Sequence, residues 1–238
     1  MSNWKKASRS FYYETADDPD DIVLECKRTA LLVIDIQNTY LVPDDDPAKA
    51  VRWQPFYDRM NNIVIPNNAK LLNWARDKGL EVIFARIACE TQDGRDRSLS
   101  QKKPGFNYLL LPKDRKDSQI VPELSPQDDE IVVTKTTDSA LTGTNLRLML
   151  HNIGITDVIV SGIFTDQCVS STVRSLADES FGVVVVHDAC AAATMDLHEK
   201  ELEIINMIYC QRPLRNVLVF GFSRLGRHCL VRCAASGR

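Results

Sequence analysis

The sequence has no run of about 18 apolar residues, the length a membrane-spanning helix needs, and no apolar stretch follows its first residues. We therefore expect neither a membrane span nor a secretory signal, and we expect a cytoplasmic protein. The seven cysteines are irregularly spaced and form no C-x-x-C pair, which favours reduced thiols over a disulfide framework or a zinc site. The 29 Lys and Arg nearly balance the 32 Asp and Glu without a concentrated basic block. Neither nucleic acid nor an anionic membrane is expected as a partner.

The composition is that of an ordinary globular protein, and its length fits one large domain or two small ones. The chain has 238 residues, of which 44% are apolar and 26% charged, so it can bury a full core without disulfide or metal staples. Residues 1–28 mix charges and aromatics without an apolar period, and they predict an N-terminal arm. No composition shift divides the remainder, so 29–238 is predicted as a single domain.

Short β-branched runs alternate with helical patterns along this domain. Strands are predicted at 31–34, 82–85, 131–133, 158–160, 183–186 and 217–220, and helices at 66–78, 145–152, 168–179 and 196–209. Such alternation predicts an α/β fold, a parallel six-stranded sheet with helices on both faces. Reactive groups in such sheets collect at the carboxyl ends of the strands. The long polar connection 88–129 breaks the alternation, and connections of that length are usually functional.

Asp35 follows the first predicted strand directly. The turn after it contains no glycine, which disfavours a dinucleotide-binding site. A carboxylate at the end of a buried strand is partly desolvated, which suits it to proton transfer. An aspartate that merely caps the next turn is an equally good interpretation of this position alone.

Lys135 and Cys168 follow two further strands. A lysine after an apolar run can simply extend to the surface, unless Asp35 lies opposite it. Cys168 falls in the first turn of a predicted helix after the turn at Gly162, where free N–H groups and the helix dipole favour a thiolate and can hold an oxyanion. The other cysteines are interpreted as buried small hydrophobes.

A rival arrangement uses Cys168 with Asp188 and His198, in the chain order of an α/β-hydrolase triad. The residues around Cys168 lack the flanking glycines that such a turn needs, so this triad is disfavoured. His198 is then expected on a helix surface, and His187 at a strand end.

In these segments the sequence resembles the isochorismatase-like cysteine hydrolase family, over about residues 27–220. The matching pieces are Leu-Leu-Val-Ile-Asp35-Ile-Gln37, Lys135 with Asp138-Ser-Ala, Gly162-Ile-Phe-Thr-Asp-Gln-Cys168-Val, and Val-His-Asp188-Ala-Cys-Ala-Ala. The resemblance implies a Rossmann-like three-layer αβα domain with strand order 3-2-1-4-5-6. It also implies a catalytic triad of Asp35, Lys135 and Cys168. A cis peptide at Ile163-Phe164 is implied as well, with the Phe164 and Cys168 amides forming an oxyanion hole.

Departures from the family pattern refine the expected chemistry. Nicotinamidases of this family carry an Asp and His metal site after the second strand, but here no histidine precedes His151, so neither a metal nor another cofactor is expected. Isochorismatases cleave a vinyl ether with the aspartate, and several lack the cysteine. Retention of Cys168 therefore favours an amidohydrolase that cleaves a C–N bond, similar to N-carbamoylsarcosine, ureidoacrylate or biuret hydrolases.

The expected partner is a small-molecule substrate, which the predicted pocket residues Gln37, Tyr40, Arg86 and Thr165 would contact. Arg95 and Arg97 are further candidates to hold a substrate carboxylate. By analogy with the family, a homodimer or homotetramer is expected. Two alternatives stay open: an isochorismatase-type hydrolase that uses Asp35 as its acid, and a non-catalytic scaffold or thiol sensor.

Overall fold

The computed structural model describes residues 9–104 and 109–213, and the backbone of 229–232. Five parallel strands form the main sheet in the order β4-β3-β2-β5-β6. These are β2 (Thr29–Ile34), β3 (Glu81–Ile87), β4 (Ile131–Lys135), β5 (Asp157–Ile163) and β6 (Gly182–Ala191). A separate parallel pair joins β1 (Ile22–Glu25) to β7 (Cys229–Arg232).

The observed order matches the expected order for the first five predicted strands. The sixth was predicted at 217–220, which lies outside the described residues. Over the described part of the chain the main sheet therefore has five strands, and the prediction of six is corrected.

Helices cover both faces of this sheet. The helices α1 (Pro47–Arg59) and α2 (Ile65–Lys78) pack on one face, and α3 (Leu146–Ile153), α4 (Ser170–Asp178) and α5 (Met195–Ile205) pack on the other. Every residue of β2 is buried: Leu31 and Val33 join the first apolar cluster, and Leu32 and Ile34 the second. A central strand must be apolar on both sides, which is why its sequence is continuous rather than alternating. None of the helices described has the length and apolarity to cross a membrane.

Helix α1 was not predicted from the sequence. It begins at Pro47, and the Asp46 carboxylate caps it by accepting a 2.9 Å hydrogen bond from the Ala48 amide. A π-helical turn over Met60–Val64 joins it to α2, which ends at the left-handed Gly79. The two helices thus form one nearly continuous helical segment.

The N-terminal residues contribute to the core. Ile22 and Leu24 of β1 are buried in the apolar cluster on the α1 and α2 side of the sheet. Cys26 next to them is disulfide-bonded, so the expectation of reduced thiols is wrong at this position. Four other cysteines are free and buried: Cys89, Cys168, Cys190 and Cys210.

The connection after β3 lies at the carboxyl end of the sheet. Its backbone is tied down where it begins, because the Cys89 amide donates to Leu111 O at 2.7 Å and the Lys113 amide donates to Cys89 O at 2.9 Å. The Ser98 amide donates to Thr136 O, just beyond β4. The described part of the connection therefore forms one wall over the strand ends where the reactive groups were predicted.

Candidate active site

Three side chains from three strand ends meet below this wall. Asp35 follows β2, Lys135 is the last residue of β4, and Cys168 follows β5. The Lys135 Nζ lies 2.7 Å from Asp35 Oδ2 and 3.3 Å from Cys168 Sγ. The Lys135 and Asp35 side chains are 0% and 1% exposed, and Cys168 is 5% exposed. The structure thus brings together the three residues predicted as a triad, and the proximity of Asp35 favours a site over a surface lysine.

Asp35 is held in an unusual backbone conformation. Its φ is +53°, a left-handed value that side-chain-bearing residues rarely adopt and that occurs mainly where structure around it enforces it. Its amide donates to Ala85 O and its carbonyl accepts from the Gln37 amide, both at 2.8 Å. The Gln37 side chain bonds both the N–H and the carbonyl of Ile87 on β3. The turn after β2 is therefore fixed to the neighbouring strand.

The turn that carries Cys168 needs a glycine at its start. Gly162 has a φ of +119°, and a Cβ there would lie 2.0 Å from the carbonyl oxygen of Ile34 on β2. The peptide Ile163-Phe164 is cis, as the family resemblance implied. Cys168 then lies in a π-helical turn over Thr165–Val169, ahead of α4, and not in the first turn of an α-helix as predicted.

Burial determines the protonation of the three groups. It raises the pKa of Cys168 well above its ordinary value, and the Asp35 carboxylate adds to this while Lys135 opposes it. Burial also raises the pKa of Asp35, against the effect of Lys135. For Lys135 burial lowers the pKa, but Asp35 and Cys168 together raise it overall. Burial thus favours the neutral thiol of Cys168 and works against the resting thiolate expected from the sequence, while its two charged neighbours favour the ammonium of Lys135.

A cavity opens onto the Cys168 sulfur and has aromatic and polar walls. The Phe164 ring packs edge-to-face on Tyr40, with centroids 5.4 Å apart. Arg97 and Gln101 reach the cavity from the connection, and Asp138 from the segment after β4. The Asp138 Oδ1 lies 3.8 Å from the sulfur and accepts a 3.1 Å hydrogen bond from Gln101 Nε2.

Of the four predicted pocket residues, Tyr40 lines this cavity. Burial raises the pKa of its phenol well above the ordinary value, and the negative charge of Asp35 adds to this effect. The Tyr40 phenol therefore remains a hydroxyl donor. Gln37, Arg86 and Thr165 are not among the lining residues. Arg86 Nη1 donates instead to Lys113 O and Gln119 Oε1, and so holds the connection in place.

His198 lies elsewhere than the sequence suggested. It is fully buried rather than on a helix surface, since its face of α5 packs against the turn that carries Cys168. Its two ring nitrogens contact Thr165 Oγ1 and Arg59 Nη2, and not the partners of the rival triad. The burial was missed because the helix around it is rich in charged residues.

A buried cysteine beside a lysine and an aspartate at the carboxyl ends of parallel strands defines a cysteine hydrolase on a three-layer α/β fold. The isochorismatase domain matches residues 29–212, and the chain belongs to the isochorismatase family.

Individual relatives support the amide-cleaving branch of this family. A ureidoacrylate amidohydrolase RutB of Pantoea ananatis is 32% identical over 196 residues, which cover 76% of each protein. A probable inactive nicotinamidase of Arabidopsis thaliana is 29% identical over 191 residues, covering 79% of this chain and 92% of that protein. A solved isochorismatase family protein of Burkholderia thailandensis aligns with a TM-score of 0.67 at 28% identity, covering 83% and 95% of the two chains. The relatives of this member of the isochorismatase family thus include an amidohydrolase.

Proposed function

We propose that the protein is a metal-independent cysteine amidohydrolase that cleaves a small amide or ureido compound through a thioester and releases ammonia. The observation that carries this proposal is the position of Lys135 Nζ, in contact with both Asp35 Oδ2 and Cys168 Sγ. This contact links a proton acceptor, a cation and a nucleophile in a site from which water is largely excluded. Such a group can activate a thiol without a second nucleophile or a metal.

In the first half of the reaction Asp35 takes the proton from the Cys168 thiol while the sulfur attacks the substrate carbonyl carbon. The carbonyl electron pair moves to oxygen, and the amides of Phe164 and Cys168 hold the oxyanion. Lys135 stabilises the negative charge that passes from carboxylate to sulfur. The protonated Asp35 then gives its proton to the leaving nitrogen as the C–N bond breaks, so ammonia departs and a thioester remains.

In the second half a water molecule attacks the thioester carbonyl. Asp35 accepts a proton from this water, and the C–S bond breaks to release the acid, which is a carboxylic acid from an amide and a carbamic acid from a ureido compound. The proton on Asp35 returns to the Cys168 sulfur, which restores the thiol. A thiol at rest is consistent with this cycle, because the proton is already on the group that must lose it during attack.

The polar groups of the cavity support a ureido substrate that also carries an acid group. Asp138 lies 3.8 Å from the sulfur and is an acceptor for substrate N–H groups. Arg97 lines the same cavity, is 6% exposed, and acts to lower the pKa of the Tyr40 phenol. Its guanidinium suits a substrate carboxylate, which it can bind with two parallel hydrogen bonds.

Ammonia release from a panel of compounds tests the proposal. The panel contains ureidoacrylate, N-carbamoyl amino acids, biuret and nicotinamide, with isochorismate assayed separately by pyruvate release. We expect stoichiometric ammonia from at least one ureido compound, and loss of that activity in Cys168→Ala. Cys210→Ala is the matched control, since it removes another buried free thiol at a position away from the cavity and should retain activity.

Each alternative gives a different result in this assay. An isochorismatase-type enzyme would release pyruvate, and Cys168→Ala would retain that activity because Asp35 supplies the proton. A non-catalytic scaffold or thiol sensor would release neither product. Either result would overturn the amidohydrolase proposal.

A further inference from the structure

A cluster of polar side chains lies behind the turn that carries Cys168. Among the described residues it is the group that could hold a metal ion, with ligand atoms of His187, His198 and Glu199 within 4.8 Å of one another. Both ring nitrogens of His198 are already engaged, however. Its Nδ1 lies 2.8 Å from Thr165 Oγ1, and its Nε2 lies 3.1 Å from Arg59 Nη2. The cluster is better described as a hydrogen-bonded chain than as a cation site.

The donor and the acceptor of each hydrogen bond in this series follow from Arg59. A guanidinium only donates hydrogen bonds, so we assign the Nε2 of His198 as the acceptor in its contact with Arg59. A neutral imidazole has one acceptor and one donor nitrogen, so Nδ1 carries the proton and donates to the Thr165 hydroxyl. Burial, followed by the charge of Arg59, lowers the pKa of His198 to about 3, so the imidazole is neutral at ordinary pH.

Arg59 is itself fixed to the sheet. Its Nε and Nη2 donate to Cys190 O at 3.2 and 2.9 Å, and Nη2 also lies 3.2 Å from His187 O. Both carbonyls belong to β6, so the guanidinium is held by backbone on one side and by the imidazole on the other. The hydrogen bonds through Arg59 and His198 therefore fix Thr165 relative to β6.

Thr165 is the residue at which the chain meets the reactive turn. It is fully buried and begins the π-helical turn that contains Cys168. Within the turn the Gln167 and Val169 amides both donate to Phe164 O, at 3.0 and 3.2 Å. The hydrogen bond from His198 joins this internally bonded turn to α5.

We propose that Arg59 and His198 are positioning residues, which hold Thr165 so that the Phe164 and Cys168 amides stay directed at the oxyanion formed on attack by Cys168. The inference rests on the proposed function. It gives His198 a role as a neutral hydrogen-bond donor, without contact to substrate and without proton transfer.

Two reactions of Cys168 separate this role from a general structural one. Acylation by p-nitrophenyl acetate passes through a tetrahedral oxyanion, whereas alkylation by iodoacetamide does not. A change in the reactivity of the thiol affects both rates and cancels in their ratio. The ratio of the acylation to the alkylation rate constant therefore reports on the amides that hold the oxyanion. This ratio can be measured whatever the natural substrate is.

The matched variants are His198→Asn and His198→Gln. The asparagine amide can occupy the position of Nδ1 and donate to Thr165, whereas the longer glutamine amide occupies the position of Nε2. We expect the ratio to fall about 10- to 100-fold in His198→Gln and in Thr165→Val, less than the roughly 100- to 1,000-fold typical for removal of an oxyanion donor because the amides are displaced and not removed. The ratio should fall much less in His198→Asn. Melting temperatures and mass-spectrometric assignment of the modified cysteine accompany each rate.

The inference is overturned if the ratio in His198→Gln and Thr165→Val stays within about twofold of the wild-type value. It is also overturned if acylation and alkylation fall together, or if His198→Asn behaves like His198→Gln. Should no compound of the ammonia panel be hydrolysed, the amidohydrolase proposal fails while the ratio still tests the positioning role. A wild-type Cys168 that is alkylated but never acylated would overturn both.

Discussion

The ammonium of Lys135 lies 2.7 Å from the carboxylate of Asp35, and both side chains are almost completely buried. Removing one member of a buried ion pair leaves the other charge uncompensated, which typically costs about 3 to 5 kcal/mol. Replacing both members can cost much less, because no buried charge then remains.

We therefore predict that Lys135→Met lowers the free energy of unfolding by about 3 to 5 kcal/mol, and that Asp35→Leu/Lys135→Met loses less than the sum of the single variants. Urea unfolding measures these changes. Lys200→Met is the control, since the Lys200–Asp196 pair is 66% and 69% exposed and should contribute below about 1 kcal/mol. Additive losses in the double variant would show that the two charges do not depend on each other.

The raised pKa of Cys168 leads to a second prediction. Burial is its main cause, but the negative charge of Asp35 adds to it and the positive charge of Lys135 opposes it. Asp35→Asn removes the carboxylate and leaves the ammonium, so the pKa of the Cys168 thiol should fall and the thiolate fraction at pH 8 should rise.

We expect Cys168 of Asp35→Asn to be alkylated by iodoacetamide at pH 8 faster than Cys168 of the wild type. The variant should lose amide hydrolysis, because the proton acceptor is absent. The rate of carbamidomethylation at Cys168, followed by mass spectrometry, measures this. Cys89 lines the same cavity and serves as the internal reference, since burial is the main cause of its raised pKa. Slower alkylation in Asp35→Asn would show that the carboxylate activates the thiol in the resting state.

Much of the fold could be predicted because the buried strands have continuous apolar sequences that differ from the helical patterns between them. Helix α1 carries Pro55 in its interior, a residue that local propensity places outside helices, whereas Pro66 lies near the start of α2, as the predicted helix 66–78 required. A π-helical turn joins the two helices, and local propensity gives no signal for it. The disulfide at Cys26 was missed because cysteine spacing alone does not determine pairing.

The candidate site could be located because the carboxyl ends of parallel strands lie at the same edge of the sheet, and Asp35, Lys135 and Cys168 lie there. The protonation of Cys168 could not be predicted in the same way. Proximity to a cation and a helix start favours a thiolate, but desolvation outweighs both and depends on the complete tertiary structure. The burial of His198 depends on tertiary packing for the same reason.

Gly162 provides a third prediction. A Cβ at this position would lie 2.0 Å from the Ile34 backbone oxygen, where the two strands pair, and the φ of +119° already disfavours any side chain. Gly162→Ala must displace β2 or β5 at the site, so we predict loss of activity and destabilisation by several kcal/mol. Gly143→Ala is the control: its φ is +74° but the space around it is open, so it should cost about 1 to 2 kcal/mol. Equal thermal unfolding of the two variants would contradict the steric argument.

Arg97 gives a prediction about substrate choice. If its guanidinium binds a carboxylate of the substrate, Arg97→Ala should raise KM for an acidic ureido compound by about 10-fold or more, and change KM for a neutral analogue less than about threefold. Arg97→Lys should recover only part of the affinity, because an ammonium cannot form two parallel bonds. Steady-state kinetics with N-carbamoyl amino acids and their amides provide the comparison. An equal loss for both substrate types would assign Arg97 to the wall of the cavity rather than to recognition of the acid group.

The neutral state of His198 makes the stability of the protein depend on pH. Its pKa is lowered to about 3 in the fold by burial and then by the charge of Arg59, against an ordinary value of 6.5. Between these values the unfolded chain binds a proton that the folded chain does not, so acidification below pH 6.5 lowers the free energy of unfolding, by up to about 1.4 kcal/mol per pH unit for one such group. Burial, followed by the charge of Arg212, lowers the pKa of His187 to about 3 as well. His187 is present both in the wild-type protein and in the His198→Asn variant compared with it below.

His198→Asn removes one of these two groups, and the slope of stability against pH between 6 and 4 should decrease by up to about 1.4 kcal/mol per unit. Urea unfolding at closely spaced pH values measures the slope, which is independent of any constant loss that the substitution causes. Glu199→Gln is the control, because it alters the adjacent residue without removing a histidine. An unchanged slope in His198→Asn would mean that the imidazole is protonated in the folded protein. It could then no longer accept the hydrogen bond from Arg59.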